Sequence, residues 1–196
     1  MAKGGNFELK IAKILSLWFS KDERDDLICK TDSSGGRATV RTQKNKKTNI
    51  YMFGDLKHSD ESAAPIFDTW SIECKTGYRL RKTKKGIVKW DILDLIDSTQ
   101  KEPTFEIMWG QCKKDAVISN REPILIFGRD LRTPCIAMRY HYFNEISEKV
   151  DLNSVKHIDV SFDENDISIF GLKDFLGLIS PGQIFYRGFI SNDKNA

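Results

Sequence analysis

Histidine is scarce in this sequence and cysteine is never clustered. The three histidines, His58, His141 and His157, are dispersed, and Cys29, Cys74, Cys112 and Cys135 show no C-x-x-C spacing. This excludes a zinc knuckle and a disulfide framework, and it fits buried free thiols in a reducing compartment. His141 with Asn144 lacks the second histidine and the metal knuckle of a His-Asn-His nuclease. No apolar run nears membrane-spanning length, and Met1-Ala2-Lys3-Gly4-Gly5 holds no apolar signal region. A cytoplasmic location is the expectation. The stretch Ser33-Ser34-Gly35-Gly36-Arg37 does not end in G-K-[ST], so it is not read as a nucleotide loop. Repeats and low-complexity segments are absent as well.

What is present is ordinary in bulk and uneven in detail. A chain of 196 residues, 40% hydrophobic and 30% charged, is long enough for one domain with a real core. The net charge of +3 says little, but its distribution says more. Lys30 to Ile50 holds six basic residues against one acid, and Lys75 to Lys89 holds seven basic residues and no acid. From Asp151 onward the balance reverses, with seven acids against four Lys and Arg. A basic front and an acidic back suit a polyanion.

Between the basic runs lies Trp70-Ser71-Ile72-Glu73-Cys74-Lys75, which reads as a strand. Alternation sends Trp70, Ile72 and Cys74 into a core and puts Ser71, Glu73 and Lys75 on the other face. Taken alone, Glu73 and Lys75 read more readily as an exposed same-face ion pair on an edge strand, and it is the preceding Gly54-Asp55 that shifts the balance. Upstream, Tyr51-Met52-Phe53-Gly54-Asp55-Leu56 reads as a second strand, and a hairpin joining the two brings Asp55 beside Glu73. Asp68, only five residues before Glu73, is too close in the chain to face it from another strand. Two hard oxygen donors with an ammonium alongside form the inventory of a magnesium-dependent phosphoryl-transfer site.

Around this pair, Phe7 to Phe19 reads as an amphipathic helix with Glu8 on its inward row. Glu8 is either a wet first-turn residue complementing the helix dipole or an acid aimed at the site. The Ser34-Gly35-Gly36-Arg37 loop offers backbone amides and a cation to phosphate. Lys57 to Asp68 reads as a polar loop, and Lys75 to Lys89 as a basic loop. Helices are expected over Trp90 to Thr99, Thr104 to Ser119 and Leu172 to Ile179. Strands are expected over residues 25–30, 123–128, 135–142 and 167–170, and Pro181-Gly182 opens a polar tail.

The order of a helix with Glu8, Gly54-Asp55, Glu73-Cys74-Lys75, a helix with Gln111 and then Ile124 to Phe127 resembles the PD-(D/E)XK nuclease superfamily. Many restriction endonucleases and archaeal-type Holliday junction resolvases share that fold, and the Ser-Gly-Gly-Arg loop is similar to small phage-encoded nucleases. The resemblance spans roughly Gly5 to Phe127, with Gly in place of Pro before the Asp. It implies an α/β restriction endonuclease-like core, a mixed central sheet flanked by helices, with the first helix preceding the catalytic hairpin. Residues 1–145 would form that core and 146–196 a C-terminal extension packed on it.

The resemblance further implies Mg²⁺, with Mn²⁺ as a substitute, held by Asp55, Glu73, the Cys74 carbonyl and Glu8. Lys75 would orient water or stabilise phosphate charge, and Gln111 would match a glutamine of the following helix. DNA is the implied partner, contacted by Ser34, Gly35, Gly36, Arg37, Arg41, Lys46, Lys47, Arg79, Arg81 and Lys82, and a second copy of the chain is a further candidate partner. The implied activity is DNA endonuclease, with junction resolution, sequence-specific restriction or an inactive DNA-binding module as the forms to separate.

Overall fold

The computed structural model describes residues 3–31, 49–77, 79–83, 86–97, 99, 101–129, 131–147 and 155–185, with backbone alone in 79–83 and 86–89. Its first element, helix α1 (Lys3–Phe19), buries Ile11, Ala12, Leu15 and Ser16. Ser16 does more than pack: its hydroxyl accepts the Ile28 amide at 3.0 Å and ties α1 to strand β1 (Ile28–Lys30). β1 pairs antiparallel with β2 (Leu56–His58). Helix α2 (Ala64–Thr69), with Pro65 in its first turn, then leads directly into β3 (Trp70–Thr76).

The stretch expected as strand 51–56 is instead a 3-10 helix (Ile50–Met52) followed by a turn. Asn49 explains this, because its side chain accepts the Tyr51 amide at 3.0 Å and offers the backbone an alternative to a ladder. Likewise the expected loop 57–68 contains the end of β2, a 3-10 turn at Glu61–Ala63 capped by Asp60, and α2. Asp55 and Glu73 are therefore not joined by a simple hairpin. The expected basic loop after Lys75 is a two-stranded antiparallel ribbon, β4 (Arg79–Thr83) with β5 (Gly86–Lys89).

Among the described residues of the expected helix 90–99, only Asp94–Asp97 (α3) is α-helical, and Leu93 and Ile96 are exposed. Asp91, Asp94 and Asp97 interrupt the apolar pattern, and the Asp91 side chain accepts the Leu93 amide in a turn. Helix α4 (Thr104–Ser119) runs as expected and ends on Asn120 in the left-handed region at φ 53°. Asparagine tolerates that conformation and turns the chain sharply into β6 (Glu122–Gly128). Strand β7 (Cys135–Arg139) stops short of Tyr142, because α5 (Tyr140–Ser147) starts at its end with Tyr142, Phe143 and Ile146 inward. Strand β8 (His157–Phe162) and strand β9 (Asn165–Gly171) form a hairpin, with helix α6 (Leu172–Leu178) after it. The expected polar tail begins with helix α7 (Pro181–Phe185), which buries Ile184.

The main sheet runs β3-β6-β7-β9-β8, with β3 and β6 parallel and all other neighbours antiparallel. Residue 145 falls within α5, and the segment beyond it supplies β8 and β9 to this same sheet. Strand β6 is apolar on both faces for a reason: Ile124 and Ile126 enter one core, Leu125 and Phe127 the other. The first core gathers α1, α2, α5, α6 and α7, and the second lies beneath α4 and Trp90. Trp70, Ile72 and Cys74 join the first core, as their alternation requires. Glu73 is in register with Leu125, so it faces the α4 side.

Candidate active site

Asp55 reaches β3 because Gly54 lets it. Gly54 has φ +84°, and a Cβ there would sit 2.7 Å from the Ile72 carbonyl oxygen. With only hydrogen in that space, the Asp55 amide donates to Ile72 O at 2.8 Å, and Asp55 Oδ2 accepts the Cys74 amide at 2.8 Å. The Asp55 carboxylate is thus fastened to the residue between Glu73 and Lys75. Thr31 braces the other side, its amide bonding Asp55 O at 2.9 Å and its hydroxyl bonding Gly54 O at 3.0 Å. Gly54→Ala is expected to lower the melting temperature by several degrees, since it adds both a clash and a strained φ. A thermal melt checks this; a wild-type melting temperature would mean the turn is tolerant.

Glu73 pairs with Lys75 along the same strand face. Asp55 and Glu73 are 5% and 8% exposed, which is rare for ionised carboxylates. Burial raises the Asp55 carboxyl to about 7, with the Glu73 charge adding to it and the Cys74 amide opposing it. Burial likewise raises Glu73, the paired Lys75 pulls it back, and Asp115 and Glu8 push it further up. Burial also raises the Cys74 thiol, which belongs to the core. Its amide and its strand position, not its sulfur, serve the site.

Glu8 is half-buried on α1, close enough for its charge to raise both Asp55 and Glu73. Among the described residues no three His, Cys, Asp or Glu side chains converge as a metal cage. Gln111 is exposed on α4 and lines a surface cleft with Trp109, Lys113 and Asn165. Asp68 lies apart from the pair and accepts the Tyr51 hydroxyl at 2.6 Å. Residues 34–37, 41, 46 and 47 lie outside the described residues, and Arg79, Arg81 and Lys82 stand on the β4 backbone.

Two residues of the site region are not anticipated from sequence. Asp115, one turn after Gln111 on α4, accepts the Gly54 amide at 3.4 Å and is raised chiefly by burial. Its i, i+4 relation to Gln111 was the available signal. Arg121 is buried at the α4–β6 junction, and an arginine abutting an all-apolar strand is the only sign of it in sequence.

The donor set fits a divalent cation. Two buried carboxylates, both raised by burial and Asp55 raised further by the Glu73 charge, with one ammonium paired to Glu73, gain from a hard cation that takes oxygen ligands. Magnesium in particular is held by one or two carboxylates, with waters and substrate phosphate completing its shell, so a three-acid cage is not required. No curated protein and no solved structure gives a significant match to the chain. Residues 1–186 match the family described as Phage putative PDDEXK endonuclease, a span that includes α1, Gly54-Asp55, Glu73-Cys74-Lys75 and the main sheet. The chain belongs to that phage PDDEXK endonuclease family.

Proposed function

We propose that this protein is a Mg²⁺-dependent DNA endonuclease that hydrolyses phosphodiester bonds at Asp55, Glu73 and Lys75. The observation that carries the reading is the bond from the Cys74 amide to Asp55, flanked by the Glu73–Lys75 pair. Two separate parts of the chain, Asp55 and the Glu73–Lys75 pair on β3, meet in an arrangement that supports such hydrolysis. Asp55 and Glu73, with the Cys74 carbonyl, would hold the ion, and Mn²⁺ is expected to substitute. What the bound ion supplies is a lowered pKa for a coordinated water and relief of negative charge on the phosphate. Lys75, anchored by Glu73, donates its N–H groups to phosphate oxygen or to the attacking water. Glu8 adds negative charge beside the pair and would reach the ion through water.

The β4–β5 ribbon leaves β3 directly after Thr76-Gly77, and the stretch from Lys75 to Lys89 has seven basic residues and no acid. Arg79 is in register with Lys89, so the backbone register sets two basic positions opposite each other on the ribbon. The proposal therefore places the DNA backbone along this ribbon. Neutralising Arg79, Arg81 and Lys82 together is expected to weaken binding for all sequences. The slope of log affinity against log salt should shrink by about two to three. An unchanged slope would place the ribbon away from DNA.

Substrate shape is the finer part of the proposal. Linear duplex, four-way junction and single-stranded DNA, each incubated with Mg²⁺ or EDTA, test it together with the activity. Preferential cutting of the junction identifies a resolvase-like enzyme, and cutting of one linear sequence identifies restriction. Binding of DNA without any Mg²⁺-dependent cutting would replace the enzyme reading by an inactive binding module.

A further inference from the structure

We infer that Arg121 is a positioning residue for the metal centre, a buried clamp that sets where Asp55 stands relative to Glu73. The inference rests on the reading of Asp55 and Glu73 as the metal-holding pair. Arg121 is 6% exposed, and among the described residues no carboxylate forms an ion pair with it. Burial lowers the guanidinium to about 10, only partly offset by the Asp115 and Asp68 charges, so its hydrogen-bond partners need explaining. They are backbone carbonyls. Nη2 donates to Ile50 O at 2.8 Å and Phe53 O at 2.9 Å. Nη1 donates to Phe67 O at 2.9 Å and Trp70 O at 3.2 Å, and Nε donates to Ser119 Oγ at 2.9 Å.

Those carbonyls fall in two groups with one thing in common. Ile50 and Phe53 belong to the segment that delivers Gly54-Asp55, and Phe67 and Trp70 to the one that delivers Glu73. Each side chain of the pair stands two or three residues beyond a carbonyl held by the same guanidinium. The two segments are bridged by no hairpin turn, so their spacing depends on what lies between them. Asp115, from the same end of α4, holds the Gly54 amide and pins this lead-in from its other polar group. The planar fork of arginine, with five N–H donors, serves both segments at once, whereas a lysine ammonium is a point charge with three.

A purely structural Arg121 would matter only to stability. A positioning Arg121 matters to the affinity of the folded protein for a divalent ion, because removing groups that orient metal ligands typically costs about ten- to a hundredfold in metal affinity. The test is calorimetric titration of Ca²⁺, which reads binding without turnover, at a temperature where circular dichroism shows each variant folded. Arg121→Lys is expected to bind Ca²⁺ at least about tenfold more weakly than wild type, and to need correspondingly more Mg²⁺ for half-maximal cleavage. Ser119→Ala, which frees Nε, should show a smaller loss in the same direction. Ile146→Val, a core change on α5, should lower the melting temperature and leave Ca²⁺ affinity alone.

If Arg121→Lys does not fold, Ser119→Ala decides: weakened Ca²⁺ binding supports the clamp, and wild-type affinity overturns it. Wild-type Ca²⁺ affinity in a folded Arg121→Lys, with only its melting temperature reduced, makes Arg121 a core residue and overturns the inference. A wild-type protein that takes up no Ca²⁺ overturns the metal centre itself, and the clamp with it.

Discussion

Asp55→Asn and Glu73→Gln are each expected to reduce Mg²⁺-supported DNA cleavage by about a thousandfold or more without unfolding the protein. Both carboxylates are buried and raised chiefly by that burial, so neutralising either one removes a cost the metal-free fold carries. Metal-free melting temperatures of these two variants should therefore equal or exceed that of the wild type. Lys75→Ala should also lose cleavage but with the opposite effect on stability, because it leaves the Glu73 carboxylate buried without its ammonium. Cleavage rates and thermal melts in EDTA, measured side by side, check this pattern. Near wild-type turnover in any two of the three variants would remove these residues from the chemistry. Uniform destabilisation by all three would show that the carboxylates are held by structural needs.

In metal-free protein, stability is expected to fall as pH rises from about 4 through 7. The sign follows from Asp55, whose folded carboxyl is raised to about 7 while the unfolded one titrates near 3.8. The folded state then binds the proton more tightly, so the stabilisation is full below the unfolded value and is lost as pH climbs through the folded one. Glu73, also raised, contributes in the same direction. The exposed Asp60 is lowered to about 2 by its bonds to Ser62 and Arg24, so its opposite contribution fades only under strong acid. Melts between pH 5 and 8 in EDTA separate the two. The wild type should lose stability across that range, Asp55→Asn should lose less, and added Ca²⁺ should restore the wild type at pH 8 by binding the folded state alone. A wild-type melting temperature that is flat or rising over this range would contradict the burial of an ionisable pair.

Period-two alternation made β3 legible, since Trp70, Ile72 and Cys74 must share a face wherever the strand lies. Helix α4 was legible because Phe105, Met108, Trp109, Cys112 and Ala116 recur at helical spacing on one face, and these are the residues it buries. The placement of Asp55 beside β3 was expected for a partly mistaken reason. Its approach to β3 depends on the positive φ of Gly54 and on the Ile72 carbonyl, not on a hairpin between two long strands. The helix expected over 90–99 shrank because the acids among its apolar residues formed turns instead. Strand β8 gave little signal, as an edge strand needs only one neighbour and little buried surface. Asp115 and Arg121 were the hardest to see, since each acts on backbone groups distant in sequence, and no local pattern encodes a carbonyl's partner.

The central claim is that Asp55, Glu73 and Lys75 form a metal-dependent centre for cutting DNA. It is tested most directly by incubating purified wild-type protein and Glu73→Gln with supercoiled plasmid while Mg²⁺ is titrated and then removed with EDTA. The expected result is nicked and linear product that rises with Mg²⁺ in the wild type, stops on chelation, and is absent from Glu73→Gln at every Mg²⁺ concentration. Plasmid left intact by the wild type, or cut equally by Glu73→Gln, would contradict it.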